Sequence, residues 1–372
     1  MKSFLKKSNI SFSLIALFFF LVLSCQSDDD KTDTEDDNSI EAGREQEINT
    51  LFDSQIDPLQ SSHVSLTADL NTQAAVFTSS PSETNLNSLK AAWKEAFLKF
   101  KEVEIYNLGD IQSSFIHVRM DQWPINAELI EQNIAGTQTI DENYIASKGA
   151  SSKGYAAIEY LLFHEDSSII LDEFTTSVNN ENRKNYLTSL TENLEGNAVE
   201  LQNLWMTFEG DFKGSLGSGV SGSQNQLANA IIAGLEVIKN RKMEEALNAE
   251  PADSQLLEAF YSETSMEAIR TNLETLSATY SGDFNGTNGY GMSEFVEIAL
   301  KKPSLNTSVE KAFTDAFTAI DDINGPLETA ISDELIKVEY FRTKITDLIV
   351  LFKVDISSAA NIVVTFNDND GD

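Results

Sequence analysis

The spacing of apolar residues is the feature of this chain that most restricts its fold. Between residues 41 and 209, apolar side chains recur every three or four positions, which places them on one face of a helix. The clearest run consists of Leu89, Trp93, Ala96, Phe97, Phe100 and Val103. No stretch shows the sustained alternation of apolar and polar residues that is typical of a half-buried strand. The pattern therefore predicts an all-α protein.

The helical pattern resumes after a compositional break. Residues 210–223 contain five glycines and four serines, a composition that favours a loose connection. This break lacks the Gly-Lys-Ser/Thr ending of a phosphate-binding loop. We therefore predict two helical bundles, at residues 40–209 and 224–372, and we expect the second to end in a short irregular or β-prone tail.

Residues 1–24 have the pattern of a secretory signal peptide. Basic residues precede an apolar stretch at residues 10–23, which is shorter than the roughly 20 residues that span a membrane. The sequence Leu-Val-Leu-Ser-Cys that ends at Cys25 resembles a bacterial lipobox. This resemblance implies cleavage before Cys25 and attachment of a lipid to its sulfur. The alternative is an uncleaved anchor in which the cysteine occurs by chance.

An acidic segment follows the lipobox. Residues 25–39 contain seven acidic residues and one lysine, so we predict a solvated tether between the lipid and the globular part. The four residues after Cys25, Gln-Ser-Asp-Asp, resemble the export signal of Bacteroidetes-type surface lipoproteins. A plain spacer explains them equally well. We expect lipid anchoring in the outer membrane, with exposure at the cell surface if the export signal operates.

Charge and composition exclude several functional classes. The chain has 59 acidic and 26 basic residues and a net charge of −33, whereas nucleic-acid binding requires clustered Lys and Arg. Cys25 is the only cysteine, which rules out an intrachain disulfide framework and a CxxC metal site. Three histidines leave few ways to build a His-rich metal centre.

One short apolar segment carries a single acidic residue. Glu159 is the only charged residue in 154–163, and a helix that is apolar on all sides is buried. Burial of an ionised, unpaired carboxylate is unfavourable, so Glu159 must be neutral, ion-paired, hydrogen-bonded or bound to a metal. A structural hydrogen-bonding role is more frequent for such a residue than a catalytic one.

This segment resembles the Gly-x-His-x-x-Glu motif of the imelysin-like proteins. Gly154 and Glu159 match the motif, whereas Ala156 stands at the position of the histidine. Further likenesses to the family occur in order along the chain at 104–109, 121–124, 258–265 and 366–372. The resemblance implies two all-α bundles, an envelope location and a role in iron uptake. Some members of the family are classed as metallopeptidases.

Three residues are candidate metal ligands, namely Glu159, His117 and Glu263, and the resemblance implies iron or zinc as the metal. Without a histidine at position 156, the segment lacks two ligands that lie three residues apart on one helical face. For His117 the alternative is a surface or capping histidine. Glu263 and Glu258 flank a short segment where a metal or siderophore could find oxygen ligands, and the alternative for both is a solvated acidic face.

Three further residues are candidates for a pocket. Trp93 and Trp123 are aromatic residues that can line a binding site, although core packing is the default for tryptophan. Arg241 lies near the end of an apolar helix and is a candidate cation opposite Glu159. Only the layout of the family brings Arg241 and Glu159 together at this stage.

The leading interpretation is a lipid-anchored, imelysin-like binding protein that is not a catalyst and that acts in the acquisition of iron or another metal. Its expected partners are the membrane, through the lipid on Cys25, and a metal ion or an iron-uptake protein. Nucleic acid is not expected. The alternatives are a divergent metallopeptidase, which needs a metal-bound water and a general base, and a surface interaction module without a metal site.

The lipobox generates a direct prediction. Substitution Cys25→Ala removes the sulfur that would carry the lipid, so we expect the chain to leave the membrane fraction or to accumulate as uncleaved precursor. Cell fractionation and the mass of the mature protein measure both effects. Processing and membrane attachment like those of the wild type would contradict the lipoprotein assignment.

Overall fold

The structure, a computed structural model, describes residues 32–284 and 286–365, with side chains described from residue 39 onward. Helices dominate this part of the chain, and the two short strands, Asp283–Phe284 and Thr287–Asn288, form one antiparallel hairpin. The prediction of an all-α fold is confirmed. The predicted signal peptide, Cys25 and residues 366–372 lie outside the described residues. No helix in the described chain is long and apolar enough to cross a membrane.

The first half is built around three long helices that pack along one another. Its helices are α1 (Thr32–Leu51), α2 (Asp57–Ser79), α3 (Glu83–Val103), α4 (Gly109–Ser113), α5 (Ile116–Met120), α6 (Ala127–Ala135), α7 (Glu142–Ala146), α8 (Gly154–Phe163), α9 (Ser167–Thr175) and α10 (Asn180–Gly214). Helix α2 lies between α3 and α10, and α8 packs against α3 and α10. The apolar face predicted from Leu89 to Val103 is buried in α3.

The second half continues with shorter helices. These are α11 (Ser223–Glu236), α12 (Glu245–Asn248), α13 (Ser265–Ser281), α14 (Met292–Glu294), α15 (Pro303–Asp321), α16 (Leu327–Asp333), α17 (Leu335–Val350) and α18 (Ser357–Ala360). Four π-helical segments interrupt or extend helices, at Phe52–Ile56, Val237–Glu244, Phe295–Ala299 and Leu351–Ile356. The segment after α11 is the longest and carries two residues of the site described below.

The two halves share one hydrophobic core. Buried apolar side chains from α2, α3, α10, α11, α13 and α17 belong to a single contiguous cluster. Helix α13 packs on α3, and α1 contacts both α11 and the π-helical segment Phe295–Ala299. The halves therefore meet over an extensive apolar contact, which positions polar side chains from both halves at one junction.

Two boundaries differ from the sequence prediction. Helix α10 continues to Gly214, so the first five residues of the predicted connection at 210–223 are helical. Helix α1 begins at Thr32, inside the predicted tether at 25–39. An acidic sequence is compatible with the first turns of a helix because the helix dipole is positive there. Residues 362–365 are irregular, as predicted for the tail.

Gly154 begins α8 in a conformation that requires glycine. Its φ is +76°, and a Cβ at this position would lie 2.2 Å from the carbonyl oxygen of Met120. The backbone of α8 therefore approaches the end of α5 more closely than any other residue type permits. This close approach fixes where the helix with Glu159 begins.

We expect Gly154→Ala to lower the free energy of unfolding by about 2 kcal/mol or more, because the left-handed conformation alone costs about 1–2 kcal/mol for a side chain with a Cβ. Urea denaturation measures this change. Gly196 is the matched control, because it is exposed within α10 and a Cβ there meets nothing within 4 Å. We expect Gly196→Ala to stabilise the chain by about 0.5–1 kcal/mol. Equal effects of the two substitutions would contradict this account.

Candidate functional site

A fully buried lysine lies at the junction of the two halves. Lys101, in the last turn of α3, is 0% exposed. Its Nζ donates hydrogen bonds to Glu104 Oε2 at 2.8 Å, Asp121 Oδ2 at 2.8 Å and Glu258 Oε1 at 2.7 Å. Burial opposes the ammonium charge, but the attraction of these three carboxylates outweighs it and holds the pKa of Lys101 well above its usual range. The lysine is therefore charged inside the protein.

A second lysine completes this cluster. Lys242 lies in the π-helical segment Val237–Glu244, and its Nζ is 2.6 Å from Glu258 Oε2 and 3.0 Å from Glu104 Oε1. Asn272 of α13 accepts a hydrogen bond from Lys242 at 2.5 Å and donates one to Glu104 at 3.0 Å. Burial raises the pKa of Glu104, but the two lysines lower it more, to about 2. Glu104 is therefore ionised at neutral pH.

The three carboxylates have the spacing of a metal site, but the space between them is filled. One oxygen from each of Glu104, Asp121 and Glu258 lies within 4.8 Å of the others, and the described residues contain no other group of this kind. The Lys101 ammonium lies within 2.8 Å of all three residues and takes the position of a cation. The donor set therefore does not fit a resident metal ion while Lys101 is present. We name this group of five charged residues the lysine–carboxylate cluster.

Glu159 lies beside this cluster in a different environment. It is 3% exposed, and its Oε1 accepts a hydrogen bond at 2.7 Å from the backbone N–H of Ser262. Burial raises the pKa of Glu159 to about 8, although the bonds from Ser262 lower it. Glu159 is therefore a protonated, hydrogen-bonded acid at neutral pH, which combines two of the four states expected from the sequence. Ala156, one turn earlier in α8, offers no ligand atom.

Segments that resemble the family converge on this junction. Glu104 follows α3 directly, Asp121 follows α5, and the turn at 257–264 carries both Glu258 and Ser262. The sequence placed these segments far apart, and the lysines bring them together. The sequence analysis did not identify Lys101 as a site residue, although its position in the helical pattern indicates burial. It lies four residues after Phe97 and eight after Trp93, on the face of α3 that is otherwise apolar.

A cleft of about 250 Å³ opens next to the lysine–carboxylate cluster. Its walls come from α5 and the turn after it on one side, and from α11, the following π-helical segment and α13 on the other. His117 lines the cleft, is 8% exposed, and has an Nε2 without a hydrogen-bond partner in the described chain. Burial lowers the pKa of His117 to about 4, so its ring is neutral.

Trp123 and Arg241 form one wall of this cleft. The guanidinium carbon of Arg241 lies 4.0 Å from the centroid of the Trp123 ring, and its NH2 group donates to the Trp123 carbonyl oxygen at 2.9 Å. The hypothesis that Arg241 pairs with Glu159 is wrong, because the described contacts of Arg241 go to Trp123. Trp93 lies in the core, where it stacks on Phe97 and donates to the carbonyl oxygen of Tyr155.

The three candidate metal ligands do not meet in the described structure. Glu159 bonds to Ser262, His117 faces the cleft, and Glu263 is exposed with a left-handed φ of 54°. None of them belongs to the one group of possible ligands that the described chain contains. Of the carboxylates that do come together, the sequence singled out Glu258, beside Glu263, whereas Glu104 and Asp121 were recognised only as parts of short motifs.

The fold and the cleft define an all-α protein with a ligand-sized site at the junction of its two halves. The chain belongs to the imelysin family, whose profile (imelysin, peptidase M75) matches residues 57–349. Iron-regulated protein A of Synechococcus elongatus is 21% identical over 291 residues, which cover 74% of this chain and 76% of that protein.

Two solved structures have the same fold. A crystal structure described as an iron-regulated protein A precursor from Parabacteroides distasonis has a TM-score of 0.72 and 17% identity, and the match covers 87% of this chain and 95% of that one. An imelysin-like protein from Psychrobacter arcticum has a TM-score of 0.71 and 15% identity, with 88% and 98% covered. At these identities the likeness concerns the fold alone.

Removal of the central lysine tests the cluster. Lys101→Met leaves three buried carboxylates with one ammonium, so we expect the free energy of unfolding at pH 7 to fall by about 3–5 kcal/mol. Lys94→Met is the matched control in the same helix, because Lys94 forms an exposed ion pair with Glu267 that is worth at most about 1 kcal/mol. Urea denaturation of both variants measures the difference. A small effect at Lys101 would contradict the assignment.

The raised pKa of Glu159 predicts a pH dependence. The folded-state pKa of about 8 lies above the ordinary value of 4.5, so the folded chain holds the extra proton and loses stability as pH rises between these values. Glu159→Gln removes this loss. At pH 4, where Glu159 is protonated in the folded and largely protonated in the unfolded chain, the variant should differ from wild type by less than about 1 kcal/mol, and at pH 9 it should be the more stable. Urea denaturation at both pH values tests this.

Glu263→Gln provides the control for this experiment, because the carboxylate of Glu263 is exposed in the neighbouring turn. Its substitution should leave the pH dependence of stability unchanged. Strong destabilisation by Glu159→Gln at both pH values would instead identify Glu159 as an ionised ligand or ion-pair partner.

Proposed function

We propose that this chain is a lipid-anchored protein of the cell envelope that binds an iron-containing ligand for uptake and does not catalyse a reaction. The observation that carries the proposal is the filled lysine–carboxylate cluster. A metallopeptidase needs a metal with an open position for water and a general base. Here Lys101 occupies the place of the cation, and the carboxyl group of Glu159 is hydrogen-bonded to Ser262.

The motif helix supports a binding role in a second way. In the family motif a histidine and a glutamate lie three residues apart on one helical face, whereas this chain has Ala156 and Glu159 there. The adjoining cleft retains polar groups that can orient a ligand, including His117 and Arg241. A cleft that holds a ligand through such polar groups is suited to capture and release.

The connection to iron comes from the relatives. Two of the proteins that this chain resembles carry the description iron-regulated protein A. In this proposal iron is cargo that enters with its ligand. The location is proposed from the sequence alone: a lipid on Cys25 would hold the chain at the outer membrane, where a captured ligand passes to an uptake partner.

Complementation of a deletion strain tests this function. We expect deletion to reduce the uptake of radioactive iron under iron limitation, and we expect the wild-type gene to restore it. Glu159→Gln should restore uptake fully at neutral pH, because a neutral amide replaces a neutral acid. Cys25→Ala should fail to restore uptake although the chain is produced.

Two results would contradict the proposal in different ways. Loss of uptake with Glu159→Gln, together with peptide cleavage that a chelator abolishes and that the variant lacks, would establish the metallopeptidase alternative. Unchanged iron uptake in the deletion strain would favour an interaction module without a role in metal acquisition.

A further inference from the structure

Arg241 forms no ion pair with a carboxylate in the described chain, a property that it shares only with Arg44, which bonds to Gln224. Arg119, Arg183, Arg270 and Arg342 each form an ion pair with a carboxylate. In the described chain Arg241 forms none, although acidic residues outnumber basic ones by more than two to one. A guanidinium left unpaired beside a cleft is available to an anion.

The position of Arg241 is fixed by its contacts with Trp123. The guanidinium carbon lies 4.0 Å from the centroid of the indole ring, and one N–H donates a hydrogen bond to the Trp123 carbonyl oxygen. A guanidinium has five N–H donors, so the remaining ones are free for a ligand. The π-helical segment Val237–Glu244 brings the adjacent Lys242 within 5.7 Å of the same ring. Such π-helical segments occur frequently at functional sites.

Trp123 adds an unpartnered hydrogen-bond donor to the cleft. Trp123 is 6% exposed, and its Nε1–H, which can only donate, has no partner in the described chain. His117 Nε2 is likewise unpartnered, and in the neutral ring it donates or accepts according to the tautomer. The carboxylates of Glu104 and Asp121 already accept bonds from Lys101. A ligand that pairs with Arg241 and with Trp123 Nε1–H therefore carries oxygen acceptors and negative charge.

We propose that the cleft binds iron as a small anionic carboxylate chelate, with a ligand carboxylate on Arg241, and does not bind the bare ion. This inference rests on the proposed function and specifies the form in which iron is captured. A bare cation would have to displace Lys101 from three carboxylates. The cleft volume of about 250 Å³ is near the lower limit of small-molecule sites, at about 300 Å³, which excludes bulky multi-ring chelators.

Isothermal titration calorimetry of the mature chain in detergent tests the inference, with ferric citrate and iron-free citrate as probes. We expect saturable binding of ferric citrate by the wild type. Arg241→Gln should weaken it by about 10- to 100-fold, which is the loss of a charge-assisted hydrogen bond. Arg241→Lys keeps the positive charge but lacks the planar guanidinium, so its affinity for ferric citrate should lie between those of the wild type and Arg241→Gln.

Two further variants make the test specific. Trp123→Phe keeps an aromatic ring under Arg241 but removes the N–H donor, so we expect a smaller loss of affinity than for Arg241→Gln. Arg270→Gln is the control, because Arg270 is paired with Asp321 away from the cleft. The affinity of this variant for ferric citrate should equal that of the wild type. Circular dichroism verifies that each variant is folded.

The possible failures are distinguishable. Ferric citrate binding that Arg241→Gln leaves unchanged would overturn the site. Binding of ferrous or ferric ion without citrate, and no binding of ferric citrate, would overturn the chelate while leaving the role in iron uptake intact. Unchanged iron uptake in the deletion strain would overturn the proposed function itself.

Discussion

The buried ammonium of Lys101 is the interaction on which the junction of the two halves depends. It joins the end of α3 to Asp121 after α5 and to Glu258 in the turn before α13. The mutual attraction offsets the unfavourable desolvation of these charges only while all partners are in place. The same turn supplies the N–H of Ser262 to Glu159, so the environment of the motif helix is set by the lysine as well.

Local charge balance then explains which chemistry the junction supports. Two ammonium groups face the three carboxylates of the cluster and leave a formal charge of −1, and the Lys101 ammonium occupies the space that a metal ion would need. Glu159 adds no charge at neutral pH, because it is protonated. The neighbouring cleft instead presents Arg241 and unpartnered nitrogen atoms. In a chain with a net charge of −33, Arg241 is a positive group that forms no ion pair with a carboxylate in the described chain.

The sequence predicted the helices better than the site. Periodic apolar residues identified α3, and the apolar run around Glu159 correctly indicated a buried helix. Lys101 was not recognised, because a lysine in an amphipathic helix usually extends to solvent. Lys242 and Arg241 lie in a π-helical segment, where the register departs from 3.6 residues per turn, so helical spacing could not predict their directions. Pairing of Arg241 with Trp123 is a contact over 118 positions, which no local pattern encodes.

The central claim is that lysine ammonium groups, and not a metal ion, neutralise the buried carboxylates of the junction. The most direct test is thermal unfolding of the purified chain before and after exhaustive dialysis against a chelator, together with elemental analysis of the protein. This account predicts the same Tm before and after dialysis, and no change when zinc or iron salts are added back. Release of about one metal ion per chain, with a fall in Tm that the added metal reverses, would contradict it.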